Sequence, residues 1–76
     1  MDVARLRIPI FDLGCGGAGA TTVARELAAT DGVLRVYVNP ATETAYLDYD
    51  PARADPRKLA EAIEKAGYRA GRPAQT

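Results

Sequence analysis

The chain has 76 residues, ten lysines and arginines balanced by ten aspartates and glutamates, no histidine and a single cysteine. That length allows one domain with a modest core, and the even charge excludes a phosphate backbone or an anionic membrane as an electrostatically chosen partner. The missing histidine removes the commonest general base and nitrogen metal ligand, and one cysteine excludes an internal disulfide.

Ala4 to Phe11 alternate, with Leu6, Ile8 and Ile10 on one face and Arg5, Arg7 and Phe11 on the other. This predicts a strand with one buried face. Pro9 has no N–H to give a ladder, so it requires a place where that donor is not wanted. Next comes Asp12-Leu13-Gly14-Cys15-Gly16-Gly17-Ala18-Gly19, which holds the cysteine and four glycines. A glycine loop running straight into a helix leaves unpaired N–H groups that favour a negative species such as a thiolate or phosphate, and such a helix start would lower the thiol pKa of Cys15.

Ala20, Val23, Ala24 and Leu27 recur at helical spacing, and Asp31-Gly32 ends that helix. Val33 to Val38 read as a second strand and Thr44 to Tyr49 as a third, joined by a polar turn that predicts an antiparallel hairpin. Asp55-Pro56 is an N-cap followed by proline at the first helical position. Leu59, Ala62, Ile63 and Ala66 form the stripe of a second helix, with Arg57/Glu61 and Glu61/Lys65 pairs at four-residue spacing. Gly67 stops it, Tyr68 to Ala70 add a short last strand, and residues 72–76 are expected to fray beyond a domain of residues 1–71. The order strand, helix, strand, strand, helix, strand predicts an α+β, ferredoxin-like βαββαβ sandwich, a four-stranded antiparallel sheet with both helices on one face. Without a long apolar run or a leader-like start, the chain is expected to be soluble, unprocessed and cytoplasmic, with no membrane insertion.

Gly32-Val33, Val36-Tyr37-Val38-Asn39, Ala41 to Ala45, Tyr49-Asp50-Pro51, Leu59 and above all Ala62-Ile63-Glu64-Lys65-Ala66-Gly67-Tyr68 carry a resemblance over nearly the whole chain. On these residues it resembles the heavy-metal-associated domain family, found in copper chaperones and at the N-termini of metal-pumping ATPases. The family's motif, methionine, any residue, cysteine, any two residues, cysteine, falls on the glycine loop. Leu13 takes the methionine position and Cys15 the first cysteine. Counted from the first strand the second cysteine falls at Ala18, and counted back from Gly32-Val33 it falls at Gly19, so the second thiol is missing in either register.

What the resemblance implies is a non-enzymatic domain that binds and passes on Cu(I) or another soft ion. Cys15 would be the one strong ligand, Leu13, Gly14, Gly16, Gly17, Ala18 and Gly19 the supporting loop, and Tyr68 a shield beside it. Soft sulfur selects Cu(I), and low coordination lets the ion move by ligand exchange. One thiolate does not chelate, so the other donor would be a small thiol or Cys15 of a second copy. The implied partners are the chain itself, a metal-transporting ATPase or a related metal-handling protein. The alternative is a scaffold that serves as a protein-interaction or regulatory module without metal.

Other readings carry less. Cys15 also suits a buried apolar filler or a redox sensor. Asp12 to Gly16 are similar to the first motif of S-adenosylmethionine-dependent methyltransferases, but those need a larger doubly wound sheet, whereas the second and third strands here form a hairpin. Arg7, Phe11, Arg35, Tyr37 and Tyr46 fall on the sheet face away from the helices, as the stacking residues of RNA-binding domains do. Zero net charge and Asp48 on that face argue against nucleic acid, leaving a solvated face or a protein contact. Asp48 and Asp50 have no neighbours that would tune them for acid–base work, and no enzyme is expected.

Overall fold

The computed structural model describes residues 2–13 and 18–75. The elements are β1 (Ala4–Phe11), α1 (Ala18–Ala28), β2 (Val33–Asn39), β3 (Thr44–Tyr49), α2 (Pro56–Lys65), β4 (Arg69–Ala70) and β5 (Ala74–Gln75). The sheet order is β2-β3-β1-β4, with β5 also pairing β1, and every pairing is antiparallel. This is the predicted split βαβ arrangement with one short strand more.

The alternation in β1 is realised in full. Leu6, Ile8 and Ile10 are buried and join Ala45, Leu47 and Tyr49 of β3, Val23 and Leu27 of α1, and Leu59 and Ile63 of α2 in one apolar cluster. Both helices therefore cover one face of the sheet. On the other face Arg5, Arg7, Phe11, Tyr37 and Tyr46 are exposed. No polar or charged side chain is buried among the described residues, so the core carries no penalty for desolvating a charged side chain and is driven by apolar burial.

Residues 74–75 are not frayed: β5 pairs Ala74 with Arg7 and Gln75 with Leu6, while β4 pairs Ala70 with Ile10 and Arg69 with Phe11. Pro9 explains the gap between them. Its carbonyl accepts from Gly71 N at 2.7 Å, and in an extended strand a residue's N and O face the same neighbour. The absent N–H thus faces the break where the chain leaves β4 and has not yet joined β5. A second departure lies in β2, where a register shift between Val33 and Arg35 marks a bulge at Leu34. Leu34 is half exposed as a result.

α2 is locally specified at both ends. The Asp55 side chain accepts from Lys58 N at 2.8 Å with Pro56 next in the chain. At the other end Gly67 N donates to Glu64 O at 2.9 Å and Tyr68 N to Ile63 O at 3.3 Å, a Schellman closure. It turns on Gly67 at φ 97°, a conformation that side chains resist. The predicted Arg57/Glu61 and Glu61/Lys65 pairs do not close. The ion pairs among the described residues are Arg5–Asp48 at 3.3 Å and Arg53–Asp31 at 3.5 Å. Exposed pairs gain too little Coulomb energy to hold two long side chains in one geometry.

Candidate metal site

The junction from β1 to α1 is described on both sides. Phe11 ends the strand, and Asp12 follows with φ 62°. Aspartate is one of the few side chains that tolerate this left-handed conformation, which redirects the chain and drives Leu13 inward. Leu13 is 5% exposed and belongs to the core cluster. Where the family motif has a thioether, this chain has a buried hydrocarbon that anchors the loop. α1 then begins at Ala18, which is exposed, and continues with Gly19, which is buried.

Tyr68 ties this junction to the far end of α2. The Schellman closure carries the chain from α2 back toward β1, and Tyr68, half buried, packs against the core. A Cβ on Gly19 would lie 2.6 Å from the Tyr68 hydroxyl oxygen and 2.9 Å from the Leu13 carbonyl oxygen. Real Cβ atoms do not come that close, so Gly19 is the residue that lets α1, Leu13 and Tyr68 meet. Tyr68 therefore stands beside Gly19 and Leu13, at the two described ends of this junction. The predicted ligand Cys15, with Gly14, Gly16 and Gly17, lies outside the described residues.

The two candidate positions for a second thiol are not equivalent. Position 18 opens to solvent, whereas position 19 has no room for any side chain. Among the described residues no three His, Cys, Asp or Glu side chains gather as a metal would require. The Tyr68 hydroxyl and Leu13 carbonyl are hard oxygen donors, poorly matched to a soft ion. Among the described residues no sulfur donor stands at this junction. Sequence reasoning missed Asp12 as the turning residue. The available signal was its identity, an aspartate at the end of a strand and ahead of a glycine run. Among the described residues no helix is long and apolar enough to cross a membrane.

Comparison with known proteins places this geometry. Over 64 residues the chain is 38% identical to the Arabidopsis thaliana sequence called probable copper-transporting ATPase HMA5, covering 84% of this chain and 6% of that one. It superposes on oxidized MerP from Ralstonia metallidurans CH34 with a TM-score of 0.86 at 26% identity, covering 92% and 96% of the two chains. For the N-terminal domain of a potential copper-translocating P-type ATPase from Bacillus subtilis, solved in the Cu(I)-loaded state, the TM-score is 0.81 at 29% identity, with 91% and 85% covered. The chain spans only a small part of the Arabidopsis relative. Residues 7–69 match the model of the heavy-metal-associated domain, and the chain belongs to that family.

Proposed function

We propose that this domain binds and hands on a soft cation, Cu(I) in the first place, through Cys15, with the second sulfur supplied by a small thiol or by Cys15 of another copy. The observation that carries this reading is the family membership over residues 7–69, with the single cysteine placed in the junction between β1 and α1. The Arabidopsis relative is named for copper transport, and the Bacillus subtilis domain was solved with Cu(I). A linear two-sulfur site shared between molecules releases its ion by exchange of one ligand at a time, which suits delivery rather than storage. The natural recipients are a metal-transporting ATPase or another metal-handling protein, and the setting is a reducing cytoplasm in which the thiol stays free.

Anaerobic titration with Cu(I) against a competing chelator, with molecular mass followed in parallel, tests this reading. The expected result is uptake near one ion per two chains, or one per chain when a small thiol is present, and its loss in Cys15→Ala without loss of fold. Equal uptake by Cys15→Ala overturns it. Ala18→Cys gives a second arm: returning a thiol at the open position should restore tight binding of one ion per chain without dimer formation.

The closure of position 19 and the missing thiol favour a second reading, a scaffold that keeps the family fold for protein contact or regulation without metal. That reading expects no competition with the chelator in the natural chain.

A further inference from the structure

The face of the sheet turned away from the helices has a composition unlike the chain as a whole. The chain balances ten cations with ten anions, yet the strands place Arg5, Arg7, Arg35 and, opposite Phe11, Arg69 on this face against the one carboxylate of Asp48. Register orders them. Arg35, Asp48 and Arg5 lie across one row of β2, β3 and β1, and Tyr37, Tyr46 and Arg7 across the next. Asp48 is engaged by Arg5 at 3.3 Å, whereas Arg7 and Arg35 have no ion-pair partner among the described residues and are exposed. Tyr37 and Tyr46 are 60% and 38% exposed. With Arg5, Arg35 and Asp48 they border a shallow depression of about 350 Å³.

We propose that this face docks a carboxylate-rich segment of a partner protein, with Arg7 taking one carboxylate beside Tyr46 and Arg35 another beside Tyr37. Strand spacing and rise put the two arginines on the order of 12 Å apart across the diagonal of the two rows. A guanidinium presents a planar fork that receives a carboxylate through two parallel hydrogen bonds. Tyrosine and arginine are also the side chains that most often anchor protein contacts, since each offers a large surface with a polar end.

The rings themselves weigh against nucleic acid. Tyr37 and Tyr46 lie offset and nearly parallel, centroids 6.4 Å apart at 19°, so they pack beside each other as a pair. Phe11 has the Arg69 guanidinium 5.8 Å from its centroid. Single-strand binding needs open ring faces and an unbroken cationic track, and here Asp48 interrupts the track. A second copy of this chain is disfavoured because the surplus positive charge would meet itself.

The test uses a short peptide alternating Glu and Val, with an oligouridylate of similar length as comparison, each titrated into the isotopically labelled chain at low and high salt. The expected result is amide shift changes at Arg7, Arg35, Tyr37 and Tyr46, with binding weakened about tenfold in Arg7→Glu/Arg35→Glu. A smaller loss is expected in Arg7→Gln/Arg35→Gln, and none in the charge-matched control Arg25→Glu/Arg57→Glu on the helices. All four substituted positions are exposed, and thermal melts confirm the fold. Equal loss in the control, shifts confined to the helix face, or no peptide binding overturns the proposal. Tighter binding of the oligouridylate, or self-association abolished by Arg7→Glu/Arg35→Glu, overturns it in favour of nucleic acid or of a second copy.

Discussion

α2 starts on groups of its own, with Asp55 accepting from Lys58 N at 2.8 Å and Pro56 set at the first helical position. α1 starts at Ala18 with no acidic residue in its first turn, and its next residue, Gly19, is fitted to Leu13 and Tyr68 from elsewhere in the chain. The start of α2 is therefore specified locally, while the described part of α1's start is shaped by tertiary contact. The difference has a functional side. The stretch between Leu13 and that start carries the chain's cysteine, so Gly19 and Tyr68 bear on the same junction as the candidate ligand.

The largest expected effect separates the helix from its cap. Leu59 is fully buried between α2 and the sheet, and Leu59→Ala should cost about 2–5 kcal/mol, the range for a leucine truncated in a packed core. Urea denaturation reads this directly, and a loss below about 1 kcal/mol would mean that α2 is not anchored through this face. Gly19→Ala comes next and has two opposing contributions. Alanine gains up to about 1 kcal/mol of helix propensity, but its Cβ meets a backbone carbonyl at 2.9 Å and the Tyr68 hydroxyl at 2.6 Å. The carbonyl is not a flexible side-chain end, so the collision wins and a net loss of about 1–3 kcal/mol is expected. In a Tyr68→Ala background the same change should cost less, and the double-mutant cycle gives the coupling between the two helix ends. A cycle without coupling would remove Tyr68 from the description of α1's start.

How much of this was legible follows from where each signal resides. The strands and helices repeat their message over many residues: Leu6, Ile8 and Ile10 alternate and are all buried, and Leu59, Ala62 and Ile63 keep helical spacing and are all buried. Asp55, Pro56 and Gly67 announce the ends of α2 by chemistry that acts within a few residues. The bulge at Leu34 and the pairing of Ala74–Gln75 with β1 carry no such local signal, because each is fixed by register against another strand. The site is harder still. The family motif points to Cys15, Ala18 and Gly19, but only the packing of Tyr68 shows that position 19 is closed and position 18 open.

Asp55→Ala should cost about 1 kcal/mol, the usual worth of an N-cap whose oxygen satisfies a helix N–H.

Glu61→Ala should have the smallest effect. Glu61 sits four residues from both Arg57 and Lys65, the spacing at which helix charges support one another, yet it is exposed and forms no ion pair with either. Alanine gains slightly in helix propensity what is lost in long-range attraction, so the change in stability should stay within about 0.5 kcal/mol. Added salt should reduce it further, since the interaction runs through solvent. Urea midpoints for Asp55→Ala and Glu61→Ala at low and high salt make the comparison. If Glu61→Ala costs as much as Asp55→Ala, and the cost fades with salt, then α2 is held by charge along its exposed face rather than by its cap. The contrast between a locally specified helix start and a borrowed one would then lose its basis.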